Sequence, residues 1–317
     1  MGKPVVYIDG KEGTTGLQIY DRLAKREDIE LLLIDEDKRK DPAERKKLMN
    51  AADLVFLCLP DDAAVEAVEL VENPETRIID ASTAHRTAPG WVYGFPELGA
   101  DQREAIRTAK RVANPGCYAT GFISLVAPLV KCGLLDTGAP LTCHAISGYT
   151  GGGKKAIAQY EAEERENELV SPRHYAVTLA HKHIPEMMQV CALTKKPVFM
   201  PMICDFPQGM VVTVPLYLDM LRGTPDLDRL RQLYNDFYAG SRFVTVRPPE
   251  APTCGFIGSN NLAGTNDLQI FICGNEEQVM LASRLDNLGK GASGAAVQNM
   301  NMMLGFPEET GLVEQEK

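Results

Sequence analysis

Val5-Val6-Tyr7-Ile8-Asp9-Gly10-Lys11-Glu12-Gly13-Thr14-Thr15-Gly16-Leu17 decides the fold of this chain. The run ending at Asp9 is short and apolar, the mark of a strand buried on both faces of a parallel sheet. Glycines follow at three-residue spacing (Gly10, Gly13, Gly16), and Leu17, Ile19, Tyr20, Leu23 and Ala24 then carry helical spacing to about Arg26. A glycine turn between a first strand and a helix lets backbone N–H groups and the positive helix end approach a pyrophosphate. The spacing is GxxGxxG rather than GxGxxG, so a plain tight turn is the competing reading.

Outward from that stretch the βα rhythm continues. Strands are expected at Glu30 to Asp35, Leu54 to Leu59 and Arg77 to Asp80, with helices opened by Asp41-Pro42 and Pro60-Asp61-Asp62. Strands alternating with helices imply an α/β, Rossmann-type parallel sheet with right-handed crossovers. After Cys117 the strand-like stretches follow one another: Leu141 to Ile146, Val198 to Cys204, Met210 to Leu218, Leu268 to Cys273 and Gln278 to Leu285. This predicts a more antiparallel, α+β half. One helix interrupts it, capped and started by Thr224-Pro225. A last helix, about Ala292 to Leu304, is expected to return to the first domain, with Met300, Met302 and Met303 in its core.

Composition excludes several classes. The chain has 317 residues, with 33 Lys and Arg against 43 Asp and Glu, a formal charge of −10. An acidic protein without a concentrated basic face is a poor nucleic-acid binder. No apolar run approaches 18 residues, since Phe122 to Val130 is short and carries Ser124 and Pro128. Met-Gly-Lys-Pro does not read as a signal sequence. The eight cysteines (58, 117, 132, 143, 191, 204, 254, 273) form no CxxC pair, so a zinc ribbon or redox dithiol is disfavoured. Cys58 and Cys273 lie in apolar runs, as buried reduced thiols do in a cytoplasmic chain.

The chemistry concentrates in four places. Asn114-Pro115-Gly116-Cys117-Tyr118-Ala119-Thr120 puts Cys117 at the start of an apolar helical run, where the helix dipole and N–H groups favour a thiolate. The bland alternative is a small buried hydrophobe. His181-Lys182-His183-Ile184-Pro185-Glu186 gathers two of the five histidines beside a carboxylate, suited to proton transfer at a thiolate site. No nearby cluster completes a metal ligand set, so no metal is expected. Ser147-Gly148-Tyr149-Thr150-Gly151-Gly152-Gly153-Lys154 follows a strand and could offer N–H groups and a lysine to an anion, without being a Walker A motif. Asp286-Asn287-Leu288-Gly289-Lys290-Gly291-Ala292-Ser293-Gly294 opens the last helix with small residues that permit close approach. Asp35-Glu36-Asp37 followed by Lys38-Arg39-Lys40 sends opposed signals, an acid for the ribose of NAD and bases for the 2′-phosphate of NADP. His85, His144 and His174 are isolated and read as structural.

These motifs, with Asp80-Ala81-Ser82-Thr83-Ala84-His85-Arg86, resemble the short type of the N-acetyl-γ-glutamyl-phosphate reductase family, within the glyceraldehyde-phosphate and aspartate-semialdehyde dehydrogenase-like superfamily. They span nearly the whole chain in the family's order. The resemblance implies an NADP-binding domain over residues 1–116, completed by 287–317, and a catalytic and dimerisation domain over 117–286. It implies NADPH-dependent reduction of N-acetylglutamyl phosphate, by a homodimer or homotetramer, through a thioester on Cys117. His183 would act as acid/base and His181 as a substrate contact, an order the sequence does not fix. Gly10, Gly13, Thr14, Thr15, Gly16, Ser82, Gly148 and Asn287 would meet the cofactor. Arg86, Asn114, Ser147 and Glu186 would meet the substrate, Arg86 holding its phosphate. Lys38, Arg39 or Lys40 would take the 2′-phosphate. An aspartate-semialdehyde dehydrogenase, an aminoadipate-type reductase and an inactive nicotinamide sensor are the alternatives.

Overall fold

The computed structural model describes residues 2–252 and 255–315, so Cys254 and the last two residues lie outside the description. The chain forms two compact units. One comprises the chain up to Pro96, Ala100–Pro115 and Ala292–Val313; the other comprises Glu97–Gly99, Gly116–Gly291 and the chain from Glu314.

The first unit follows the alternating pattern: β1 (Val5–Asp9), α1 (Thr14–Leu23), β2 (Glu30–Leu32), α2 (Pro42–Ala51), β3 (Leu54–Leu57), α3 (Asp61–Glu69), β4 (Arg77–Asp80), β5 (Val92–Tyr93), α4 (Ala100–Thr108) and β6 (Arg111–Ala113). The sheet order is β2-β1-β3-β4-β6-β5 and every pairing is parallel. Its apolar strands are buried because helices cover both faces. On one face Val6, Ile8, Leu54, Phe56 and Ile79 pack with Ile19 and Leu23 of α1. Ala296, Val297, Met300 and Met303 of the final helix join this cluster. Tyr7, Val55, Leu57 and Ile78 pack the other face with Met49 of α2 and Ala67 of α3. Asp41 caps α2 by accepting from the Ala43 N–H at 2.9 Å.

The second unit starts with α5 (Cys117–Lys131) and β7 (Thr142–Gly148), then α6 (Gly153–Tyr160), β8 (Arg173–His174), α7 (Ile184–Val190), β9 (Val198–Cys204), β10 (Met210–Tyr217), α8 (Leu227–Phe237), β11 (Val244–Val246), β12 (Leu268–Gly274) and β13 (Gln278–Leu285). The sheet runs β11-β12-β13-β10-β7-β9-β8 and is mixed, with antiparallel pairs at its centre. Helix α5 is apolar almost all round because it is buried almost all round. It presses on the sheet at Gly121, where a Cβ would lie 2.5 Å from the Val212 side chain. Pro128 inside it has no N–H for the Ser124 carbonyl, and the Tyr238 hydroxyl donates to that carbonyl instead, at 2.8 Å. The last helix, α9 (Gly294–Leu304), belongs to the first unit.

Two local readings of the sequence are corrected. Strand β2 stops at Leu32: Leu33 and Ile34 leave the sheet edge, Leu33 being 54% exposed, and line a cleft instead. Helix α8 is capped by Asp226, which accepts from the Arg229 N–H at 2.8 Å; Thr224 sits before it in a left-handed turn (φ +40°). A carboxylate two positions later outcompetes the Thr-Pro pair as the cap. Cys58 and Cys273 are half-buried and Cys143 and Cys191 are buried, and burial pushes all four thiols up.

Candidate active site

Gly116 is the N-cap of α5 and Cys117 its first residue. The thiol is half-buried at the positive helix end. A pocket of about 280 Å³ is lined by Cys117 and Tyr118, by Ser147, Gly148, Gly151 and Gly152 from the end of β7 onward, and by Tyr175, His181, Lys182, His183 and Ile203. Cys117, His181, His183 and Ser147, far apart in the sequence, thus share one cavity. Lys154 is exposed and does not line it.

The two histidines differ in setting. The His183 N–H donates to Nδ1 of His181 at 3.1 Å, and Nε2 of His181 lies 3.3 Å from the Tyr175 hydroxyl. His183 is buried at the start of α7. Rings of Tyr118, Phe199, His181 and His183 pack edge-on or tilted, with centroids 4.7 to 5.9 Å apart. Glu186 is buried outside the pocket lining, where its Oε2 accepts from the Gly116 N–H at 3.1 Å. It therefore ties the histidine segment to the turn that presents the sulfur.

Behind Cys117 stands the segment after β13. A Cβ on Gly291 would lie 2.7 Å from the Cys117 Cβ, so glycine is required for this approach. Asn287 is buried; it accepts from the Gly209 N–H at 2.8 Å and donates to Thr150 Oγ1 at 3.0 Å. Gly148 donates its N–H to the Gly209 carbonyl at 2.9 Å. Sequence reading missed Lys290, which is buried and ion-paired to buried Glu97 at 2.7 Å. The residues are 193 positions apart, so no local pattern shows the pair.

In the first unit, Arg86 donates from Nε to the Asn114 carbonyl at 2.9 Å. Asn114 is buried and donates to the Ala292 carbonyl at 2.9 Å. Ser82 is buried and donates to Asp80, which also lies 2.6 Å from Nδ1 of His85. His85 stacks on Trp91 at 4.1 Å. The segment 80–86 is thus a braced loop at the end of β4.

The glycine turn borders a cleft of about 440 Å³ lined by residues of this unit alone. Gly10 has φ +83°, and a Cβ there would lie 2.4 Å from the Cys58 carbonyl oxygen. Gly13 is the N-cap of α1, and Gly16 packs on Gly10, where a Cβ would lie 2.5 Å from the carbonyl oxygen. Thr14 and Thr15 open the helix; Thr14 Oγ1 is buried with no hydrogen-bond partner. Leu33 and Ile34 give the cleft an apolar wall, and Arg39, Lys40 and Arg45 line it together with Asp9, Glu12 and Glu36. Lys38 is not in the lining; it pairs with exposed Asp35 at 3.3 Å. Arg45, also missed from sequence, pairs with buried Asp9 at 2.7 Å. A glycine turn at a helix N-terminus, an orphaned hydroxyl, an apolar wall and basic groups fit a nicotinamide dinucleotide. Among the described residues, no three His, Cys, Asp or Glu side chains group as a metal site, and no helix is long and apolar enough to cross a membrane.

Residues 6–109 match the family described as "Semialdehyde dehydrogenase, NAD binding domain", and residues 117–287 match "Semialdehyde dehydrogenase, dimerisation domain". Solved aspartate-semialdehyde dehydrogenases share the fold at 14% identity. The Vibrio cholerae enzyme II gives a TM-score of 0.73, covering 96% of this chain and 99% of its own. The Francisella tularensis enzyme gives 0.71, covering 95% and 100%. Curated relatives are far nearer in sequence. N-acetyl-gamma-glutamyl-phosphate reductase 2 of a Nostoc species is 49% identical, covering 98% of this chain and all of the relative. The Brucella anthropi N-acetyl-gamma-glutamyl-phosphate reductase is 50% identical, covering 96% and 99%. With this identity over nearly its full length, the chain belongs to the N-acetyl-gamma-glutamyl-phosphate reductase family.

Proposed function

We propose that this protein reduces N-acetyl-L-glutamyl 5-phosphate to N-acetyl-L-glutamate 5-semialdehyde and phosphate, with NADPH, in arginine biosynthesis. The observation that carries the reading is the placement of Cys117 at the first position of α5, in one pocket with His181 and His183. His183 accepts the thiol proton, and the Cys117 thiolate attacks the acyl carbon. The bond to the phosphate oxygen breaks and a thioester remains on the sulfur. Arg86 is the residue we assign to the substrate phosphate. When bound, the nicotinamide supplies the hydride that reduces the thioester. Amides of the first turn of α5 and His183 stabilise the oxyanion on the former carbonyl oxygen. Its collapse releases the aldehyde and returns the Cys117 thiolate.

NADP is preferred over NAD in this reading because Arg39, Lys40 and Arg45 line the cleft wall, while of the acids Asp35, Glu36 and Asp37 only Glu36 lines it and its carboxylate is paired with Arg39 at 2.9 Å. We further propose a homo-oligomer joined through the outer face of the seven-stranded sheet. Val198, Tyr217 and Met280 are exposed there beside buried Val211 and Phe271, an apolar surface of the kind subunit contacts use. The cytoplasm is the expected compartment, as no disulfide joins the seven described cysteines.

The test is phosphate-dependent reduction of NADP by the purified protein with N-acetylglutamate semialdehyde. Cys117→Ala is expected to abolish it while NADPH still binds. An active alanine variant would refute the covalent route, and turnover of aspartate semialdehyde instead would move the substrate assignment.

A further inference from the structure

We infer that the Tyr175 hydroxyl is a fixed hydrogen-bond donor to the substrate's acyl oxygen, the atom that becomes the oxyanion on Cys117. The inference rests on the Cys117 reading above and adds a residue to it. Tyr175 follows the edge strand β8, its N–H donating to the Pro201 carbonyl at 3.3 Å, and its side chain lines the Cys117 pocket. Ala176 and Leu179 just beyond it hold left-handed backbone (φ +51° and +57°), strain of a kind retained where a position matters.

One donor already occupies the Tyr175 oxygen. Nδ1 of His181 accepts from the His183 N–H, so the proton of the neutral ring sits on Nε2, which faces Tyr175 at 3.3 Å. The Tyr118 ring packs beside that of Tyr175, with centroids 6.3 Å apart. A phenol oxygen that accepts from the His181 ring nitrogen turns its own proton elsewhere. Tyr175 lines the same pocket as Cys117, where that proton meets a substrate oxygen in this reading. Burial pushes the Tyr175 hydroxyl well above its ordinary range, and negative charge on Cys117 pushes it further. It therefore holds its proton at neutral pH and lies within electrostatic reach of the sulfur. An acyl group on Cys117 would place its oxygen beside that donor. The role is a hydrogen bond, with the proton retained on Tyr175. The titratable groups facing the sulfur are Tyr118 on α5, Tyr175 after β8, and His181, Lys182 and His183 ahead of α7; Glu186 holds the Gly116 N–H.

Tyr175→Phe keeps the ring and removes the donor. The expected result is a kcat lower by about 10²-fold, the scale of one oxyanion donor, with KM for the acyl phosphate nearly unchanged. Iodoacetamide alkylation of Cys117 at neutral pH should stay at the parent rate, because the thiolate itself is untouched. Tyr118→Phe should lower kcat less, since it leaves the Tyr175 hydroxyl in place. Parent-like kcat in Tyr175→Phe overturns the inference. So does a fall in alkylation matching the fall in kcat, which would make Tyr175 a prop for the thiol. If the unmodified protein itself shows no alkylation at Cys117, the Cys117 reading fails first and carries this one with it.

Discussion

The backbone N–H of His183 donates to Nδ1 of His181 at 3.1 Å, so the two histidines of one short motif cannot serve the same purpose. His181 has that nitrogen committed as an acceptor and its other nitrogen beside Tyr175. His183 →Asn is expected to slow the chemical step by about 10²–10⁴-fold, the scale of an acid/base group. His181→Asn should cost less, acting through Tyr175. Single-turnover rates of both variants check this, and a larger loss at His181 would reverse the assignment.

Arg39 and Lys40 line the cleft beside the glycine turn, with Glu36 paired to Arg39 at 2.9 Å. Replacing both with Ser should raise KM for NADPH at least about tenfold, as loss of charge-assisted hydrogen bonds to a phosphate does, and leave KM for NADH nearly unchanged. Steady-state kinetics with each nucleotide reads the ratio. An equal effect on both nucleotides would place the 2′-phosphate elsewhere. Arg45 is less suitable as a probe, because its removal also strands the buried Asp9 carboxylate.

Lys290 and Glu97 form an ion pair with side chains 1% and 0% exposed. Lys290→Met alone or Glu97→Gln alone should destabilise the protein by about 3–5 kcal/mol, because a buried charge loses its partner. The double replacement Lys290→Met with Glu97→Leu should recover most of the loss. Urea unfolding curves of the three variants test it, and additive losses in the double variant would contradict it. The segment that carries Lys290 also carries Gly291 against Cys117, so the single variants should lose activity as well.

Alkaline pH should destabilise the fold. Tyr118, Tyr234 and Tyr238 are raised well above the ordinary 10.0 by burial, and Cys143 and Cys191 are raised above the ordinary 9.0. The unfolded chain loses these protons above about pH 9–10 while the folded chain keeps them. Their contribution is complete below that range and shrinks as pH climbs through it toward the folded values. The urea midpoint should fall steadily from pH 8.5 to about 11. A flat profile would mean that these hydroxyls and thiols are not sealed.

The glycine turn after β1 and the Pro-Gly-Cys turn before α5 were legible because local geometry demands their residue types. Gly10 needs a positive φ, and Gly116 and Cys117 mark a helix start. The edges of elements were less legible. Leu33 and Ile34 read as strand because they are apolar, yet they serve a cleft wall. Thr224-Pro225 reads as a helix start, yet Asp226 offers the better cap. Small strands such as β5, β8 and β11, of two or three residues, owe their existence to neighbours and carry no period of their own.

What the sequence determined by itself is the α/β architecture and the identity of the chemically special side chains, since hydrophobic period, turn chemistry and helix-start signals act over a few residues. Tertiary structure alone decided how they meet. It put Tyr175 beside His181, Glu186 on the Gly116 N–H, Glu97 on Lys290 and Arg45 on Asp9. Most of these contacts join segments far apart in the chain, and each depends on which faces the sheets bury, a property no short window of sequence contains.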